Sequence, residues 1–373
     1  MRIGIDATAL PPRLTGAGNY IVSLVRALLQ VDPSNEYVVF TKPLHAPLFG
    51  QHARLHVVQA SLASRFLRIG WEQTFLPALA SRYSLDVLHS PHYTMPLFNS
   101  SPSVVTFHDM TFFLYPGQHE LYKKIFFRVG IHLSARRARA IIADSESTRQ
   151  DILRLLKLNP PRVVAVPLGV SSDFRRIDDR AALEAIRRKY HLPDQIILYV
   201  GVLEPRKNLP TLVRAFKSLV DRGIPHALVL VGRKGWMYAE LFQVVERLGL
   251  RERVIFPGYV PDEELPLLYS AADLFVYPSL YEGFGLPVLE ATACGVPVVT
   301  SNVSSMPEIA GDAALLVDPR QVDELAGAMY RSVTDRALHD ALGQKGQARA
   351  KLFSWERTAR ETIAVYERTA TSS

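Results

Sequence analysis

Strand-like and helix-like segments alternate along this chain from end to end, and that alternation limits the fold more than any single motif does. Short apolar runs suited to strands fall at 2–6, 37–42, 86–89, 103–107, 140–143 and 163–166. Amphipathic segments suited to helices separate them, among them 19–31, 71–81, 121–137 and 147–156. The series then restarts, with strands expected at 195–201, 227–231, 254–256, 274–277 and 296–300 and helices at 209–221, 238–248, 263–272 and 287–294. Such a pattern builds parallel α/β sheets covered by helices. Between the halves, Pro167-Leu168-Gly169-Val170-Ser171-Ser172-Asp173-Phe174 has the Pro, Gly and Ser of a connector. The expected architecture is α/β: two doubly wound, Rossmann-like domains facing an interdomain cleft, at 1–170 and 171–353, with a helical tail at 354–373.

A length of 373 residues suits two domains of ordinary size. Hydrophobic content of 48% with 21% charged residues is that of a globular chain. No apolar run reaches the length of about 18 residues that a spanning helix needs. The N-terminus enters a strand-like run after one Arg, without the apolar stretch of a signal peptide. Cys294 stands alone, which excludes an internal disulfide and suits a reducing cytosol. It reads as a small buried residue. A net charge of +7 and a pI of 9.4 call for an acidic partner: a nucleotide, an anionic membrane or nucleic acid. No helix presents an organised base-reading face, so nucleic acid is set aside.

Chemistry concentrates in Tyr281-Glu282-Gly283-Phe284-Gly285-Leu286-Pro287-Val288-Leu289-Glu290-Ala291. Gly283 and Gly285 allow backbone conformations and close approaches denied to other residues. Pro287 suits the first turn of a helix, where its missing N–H costs nothing. The N–H groups of Phe284, Gly285 and Leu286 would converge at that helix terminus as an anion site. Glu282 lies beside the anion, and Glu290 reaches the same pocket from about one turn inside the helix. Two acids around a phosphate-binding turn suit a ligand with both phosphate and hydroxyls, and a nucleotide sugar fits. Arg206 and Lys207, between a strand and a helix, can neutralise a diphosphate, or can be an ordinary solvated basic pair. Gly16-Ala17-Gly18 invites a dinucleotide reading, but Ile21 falls where that fingerprint needs a third glycine. His89, His92, His108 and Asp109 could suggest a metal, yet His89-Ser90-Pro91-His92 is interrupted by Pro and lies on no helix. Nor does the chain contain an Asp-x-Asp. Basic residues and aromatics interleave in Tyr122-Lys123-Lys124-Ile125-Phe126-Phe127-Arg128 and continue into Arg136-Arg137-Ala138-Arg139. They could dock on anionic lipid, or Phe126, Phe127 and Ile131 could be the core face of a helix.

The Glu-x7-Glu segment resembles that of the large retaining glycosyltransferase family 4 (group 1), of the GT-B fold, which includes bacterial mannosyltransferases. Further segments look like family signatures in family order: Arg2-Ile3-Gly4-Ile5-Asp6-Ala7, Thr15-Gly16-Ala17-Gly18-Asn19-Tyr20, Phe107-His108-Asp109, Gly201-Val202-Leu203-Glu204-Pro205-Arg206-Lys207-Asn208 and Pro307-Glu308-Ile309-Ala310-Gly311-Asp312-Ala313. Together they cover nearly the whole chain. The resemblance implies a metal-independent hexosyltransferase of polysaccharide biosynthesis, acting in the cytoplasm, at the inner face of the membrane if the basic segment docks there. GDP-mannose is the favoured donor, a UDP-sugar the alternative, and a glycan or lipid-linked hydroxyl the acceptor; no further cofactor is implied. It places His108 beside the donor sugar and the Gly16–Gly18 loop over the donor phosphate. Arg206 and Lys207 would stabilise the leaving diphosphate, Glu282 hold sugar hydroxyls, Glu290 accept from the ribose, and Tyr259 and Val260 lie near the base. Some relatives carry an Arg where this chain has Val202. The tail from Trp355 would cross back to the first domain.

Overall fold

The computed structural model describes residues 1–12, 14, 16–235 and 238–371. Thr15, part of the glycine-rich signature, lies outside them. The chain forms two compact units, Met1–Gly169 together with the tail from Ser354, and Val170–Phe353.

The first unit is built on seven strands: β1 (Arg2–Asp6), β2 (Glu36–Thr41), β3 (Leu55–Gln59), β4 (Val87–Ser90), β5 (Ser103–Phe107), β6 (Ala140–Ala143) and β7 (Val163–Ala165). All pair in parallel, in the order β3-β2-β1-β4-β5-β6-β7. β4 and β5 are buried throughout, because helices cover both faces of a parallel sheet. The C-terminal helix Trp355–Thr371 packs on Gly16–Val31. His89 at the end of β4 ties that helix down: Nδ1 lies 2.7 Å from the Tyr366 hydroxyl and Nε2 lies 2.8 Å from Thr106 Oγ1. A Cβ at Gly169 would run into the Ser354–Trp355 backbone, so only glycine fits where the tail returns.

The second unit repeats the plan with β8 (Ile196–Val200), β9 (Ala227–Val231), β10 (Val254–Gly258), β11 (Leu274–Tyr277), β12 (Val298–Ser301) and β13 (Ala314–Val317). Their order is β10-β9-β8-β11-β12-β13. Behind the sheet, Leu209–Asp221 buries Leu209, Leu212, Val213, Phe216 and Leu219, the three-and-four spacing of a one-sided helix. Strand order reverses between β8 and β11, and in such sheets ligands bind beyond the carboxyl ends of the two strands at the reversal.

The structure departs from expectation in several elements. The first helix begins at Gly16 rather than 19, so the two glycines form its opening turn and not a loop. The next runs Arg65–Arg82, starting six residues earlier than its apolar spacing indicates, with Ser64 capping the Leu67 N–H at 3.2 Å. The strands β3 and β13 at sheet edges were not foreseen. Neither were the helices Arg180–Lys189, Met306–Ala310, Val322–Thr334 and Arg336–Ala350.

Candidate active site

The loops after β8 and β11 carry most of the candidates. Beyond β8 the chain passes Glu204 into the single turn Pro205–Lys207, which Asn208 ends in a left-handed conformation with φ 58°. The Asn208 amide donates to the carbonyls of Pro278 (3.2 Å) and Pro319 (2.6 Å), and Leu280 N donates to the Arg206 carbonyl at 2.9 Å. The basic pair is thereby fastened to the loop that carries Glu282.

Arg206 and Lys207 converge on Glu282. Arg206 Nη1 donates to Glu282 Oε2 (2.8 Å) and to the Tyr281 carbonyl (2.6 Å), while Nη2 donates to Glu204 Oε1 (2.8 Å). Lys207 Nζ donates to Glu282 Oε1 (2.6 Å) and to the Tyr277 hydroxyl (2.7 Å). Tyr277 ends β11 and stacks on Tyr199 of β8 at 5.6 Å. Glu282 and Lys207 are each 7% exposed, a depth at which a lone ion would be expensive. Two acids set against two bases resolve that cost. Burial alone would push the Glu282 carboxyl up, but Arg206 and Lys207 outweigh it and hold the group at about 2. Lys207 is lowered, by burial first and by the Arg206 charge second. Sequence reasoning missed Tyr277, whose only signal was an aromatic at the carboxyl end of a central strand.

The Tyr281–Gly285 turn is held from outside by Ser304 and Ser305, also unforeseen. Glu282 N donates to Ser304 Oγ at 3.0 Å, and the Ser304 hydroxyl donates to the Glu282 carbonyl. The Ser305 hydroxyl lies within bonding distance of the carbonyls of Glu282 (3.1 Å) and Phe284 (2.5 Å). Gly283 is buried, and the Phe284 ring meets Phe353 edge-on at 6.0 Å. Gly285, at φ +116°, caps the helix Leu286–Ala293 without a capping side chain, and a Cβ there would strike Met306. Val288 N and Leu289 N bond to the Gly285 carbonyl (3.0 and 3.3 Å), so the N–H groups of Phe284, Gly285 and Leu286 precede the helical ladder. Glu290, fifth residue of that helix, accepts from the Tyr269 hydroxyl at 2.9 Å. Burial pushes its carboxyl up to about 7, with Tyr269 opposing and Asp262 adding to the rise. Tyr259 and Val260 follow β10, two strands from β8; Tyr259 is 53% exposed and Val260 is buried in the core.

In the first unit, His108 follows β5 with both ring nitrogens engaged: Nδ1 lies 2.8 Å from Asp144 Oδ2 and Nε2 lies 2.9 Å from the Pro91 carbonyl. Two acceptors favour the imidazolium. Burial opposes the charge, but Asp144 and Pro91 prevail, and the His108 pKa is raised. Burial raises Asp144 as well, against the lowering effect of His108. As placed, His108 bonds within its own unit at both nitrogens. Asp144, at the end of β6, was missed, although an acid closing a strand-like run was the available signal. Asp109 Oδ1 accepts from the Thr111 amide and hydroxyl (2.9 and 2.7 Å). Burial holds His89 and His92 at about 3, and among the described residues no group of His, Cys, Asp or Glu is arranged to hold a metal. A Cβ on Gly16 would meet nothing, whereas one on Gly18 would lie 3.1 Å from Leu14 Cδ2, so Gly18 has a packing reason for its size.

Comparison with known proteins places the chain. Residues 184–349 match the family "Glycosyl transferases group 1" and residues 14–174 match "Glycosyltransferase Family 4". The O-antigen chain mannosyltransferase B of Escherichia coli is 37% identical over 369 residues, 95% of this chain and 96% of that protein. The serotype-specific mannosyltransferase WbdA of Escherichia coli is 34% identical over 242 residues, 64% of this chain but 30% of WbdA. Among solved structures, sucrose-phosphate synthase of Thermosynechococcus elongatus superposes with a TM-score of 0.79 at 25% identity, covering all of both chains. The chain belongs to the group 1, family 4 glycosyltransferases, and its two Rossmann-like sheets are those of the GT-B fold.

Proposed function

We propose that this glycosyltransferase moves mannose from GDP-mannose to a hydroxyl of a glycan or lipid-linked acceptor in the biosynthesis of a cell-surface polysaccharide, on the cytoplasmic side of the membrane. The observation that carries the chemistry is the buried Arg206–Glu282–Lys207 cluster beside the open N-terminus of Leu286–Ala293, at the strand-order reversal. The choice of mannose rests on full-length similarity to a mannosyltransferase.

In this reading the diphosphate lies over the helix terminus, with Arg206 and Lys207 against the charge that grows on it as the C1–oxygen bond breaks. The acceptor oxygen bonds to C1 from the same face, and its proton passes to the departing phosphate oxygen, so configuration is retained. Glu282, ionised, keeps both cations extended and meets the sugar hydroxyls. Glu290 takes the ribose hydroxyls, with Tyr259 and Val260 toward the base. Gly16 and Gly18 border the donor phosphate, and His108, its nitrogens engaged, acts as a fixed positive charge near the sugar.

Hydrolysis of GDP-mannose, UDP-glucose and UDP-N-acetylglucosamine by the purified enzyme, with and without a chelator, tests this. GDP-mannose should be turned over fastest, undiminished by the chelator. Preference for a UDP-sugar would overturn the donor assignment, and activity lost to the chelator and restored by Mg²⁺ would overturn the metal-free route.

A further inference from the structure

The loop that joins β4 to β5 lines two adjoining cavities at the amino ends of the central strands of the first unit, the edge of the sheet opposite the one His108 and Asp144 occupy. One, of about 260 Å³, is lined by Asn99, Ser100, Ser101 and Ser103 together with Arg137 and Arg139 before β6. The other, of about 350 Å³, adds Ser81, Ser84 and Asp86 before β4. Ser100, Ser101 and Pro102 belong to both, so the two form one groove. None of these side chains takes part in the chemistry described above.

The lining both donates and accepts. Ser81 and Ser100 are exposed, with their hydroxyls 3.5 Å apart. Asn99 Nδ2 donates to the Ser101 carbonyl (2.8 Å) and to Ser103 Oγ (3.3 Å), while its buried Oδ1 has no partner among the described residues. A buried acceptor left so is uncommon and favours a ligand that brings its own donors. The exposed Asp86 carboxylate, which takes the Arg2 amide at 2.7 Å, is a second acceptor at the other end. Arg139 is an exposed donor. Beside the groove Phe98 is 75% exposed, with the Arg137 guanidinium 5.4 Å from its ring centre. Sugars match this set, because their hydroxyls donate and accept while their C–H faces pack on an aromatic ring. A phosphate brings acceptor oxygens and negative charge, which leaves Asn99 Oδ1 unanswered and opposes Asp86.

We propose that this groove holds the grown part of the neutral glycan that the enzyme extends, away from the end that receives the next sugar. A chain held there keeps its free end at a high effective concentration between transfers. β5 has five residues, so the two edges of its sheet are about 17 Å apart along the strand, a span that one sugar ring does not bridge. The groove therefore acts on long acceptors and leaves short ones alone. This role rests on the reading of the enzyme as a mannosyltransferase, which supplies the probe.

Calorimetric titration of the full chain with an α-linked mannohexaose, without donor, tests the proposal, followed by transfer from GDP-mannose to the hexaose and to methyl α-mannoside. Phe98→Ala with Arg139→Gln should weaken hexaose binding by about tenfold. The same variant should raise KM for the hexaose by a like factor and leave transfer to methyl α-mannoside unchanged. Ser100→Trp, which fills the groove from an exposed position, should do likewise. All three positions lie at the surface, so melting temperatures should hold; if one variant fails to fold, the other carries the test. A wild type that does not bind the hexaose, folded variants that bind it as the wild type does, or an equal loss for the short acceptor would overturn the proposal. Displacement of the hexaose by inorganic phosphate would assign the groove to an anion instead, and a dimer that Ser100→Trp splits would assign it to a second copy. Absence of transfer from GDP-mannose would overturn the donor reading, while the titrations, run without donor, would still decide the groove.

Discussion

Glu282 answers two cations with one carboxylate, and that ratio determines what a substitution does. In Glu282→Gln, Arg206 and Lys207 would stand together with Glu204 beside them and the Glu282 charge gone. Removing one member of a buried ion cluster typically costs about 3–5 kcal/mol. We expect Glu282→Gln to lose stability in that range in denaturant unfolding, and GDP to restore part of it by supplying the missing negative charge. Equal stability of mutant and wild type would show that the cluster is not needed to hold the loops. Glu290 gives a pH test. Its folded pKa of about 7 lies above the ordinary 4.5, so the stability linked to its proton is complete below about 4.5 and is lost as pH rises through 7. Ligand binding should run the other way. If ribose hydroxyls donate to the carboxylate, GDP affinity rises between pH 6 and pH 8 on the order of tenfold, and Glu290→Gln removes that component. Calorimetric titration of both proteins across the range checks it. At this scale the sequence named Glu282, Arg206 and Lys207 as candidates, but by residue type alone the basic pair read equally as a solvated one. That Glu282 would spend both oxygens on Arg206 and Lys207 was not legible, since those contacts join positions 75 and 76 apart.

At the scale of elements, Gly285 joins a turn to a helix under two separate constraints. Its φ of +116° is strained for any side chain, and Met306 occupies the space a Cβ would take. Gly285→Ala should cost about 1–3 kcal/mol from the backbone alone, with a further penalty from the collision. Adding Met306→Ala should relieve the collision but not the φ, so the double mutant recovers only part of the loss in urea unfolding. Full recovery would mean that the conformation itself is not strained. What the sequence disclosed about elements follows burial. Ser103–Phe107, Ala140–Ala143, Ala227–Val231 and Leu274–Tyr277 match their expected bounds, because buried parallel strands are mostly apolar. β3 was hidden because it lies at a sheet edge, and His56 and Gln59 break its apolar run. Arg180–Lys189 buries only Ile186, too little apolar pattern to reveal a helix. Gly16 was placed outside its helix because glycine is a poor helix former, a preference the burial of Tyr20, Ile21 and Leu24 overrides.

For the whole molecule, the tail makes the first unit discontinuous in sequence, and its stability depends on residues more than 180 positions past its last strand. Within Trp355–Thr371, Thr358, Ala359, Thr362, Val365 and Tyr366 are buried, the spacing of one continuous face. Tyr366 meets His89 Nδ1, and the Thr358 hydroxyl donates to the Pro167 carbonyl at 2.7 Å. Removing the chain from Ser354 onward would expose the face of Gly16–Val31 that this helix covers and leave His89 without its Tyr366 partner. The unpaired group alone costs about 1–3 kcal/mol, and the bared apolar face adds to it. Val170–Phe353 owns its complete sheet. Hydrogen exchange on the truncated chain should therefore show protection falling in β1, β4 and Gly16–Val31 while β8, β9 and β11 keep theirs. Tyr366→Phe should produce a weaker form of the same asymmetry. Protection lost equally from both sheets would mean that the two units fold as one cooperative body.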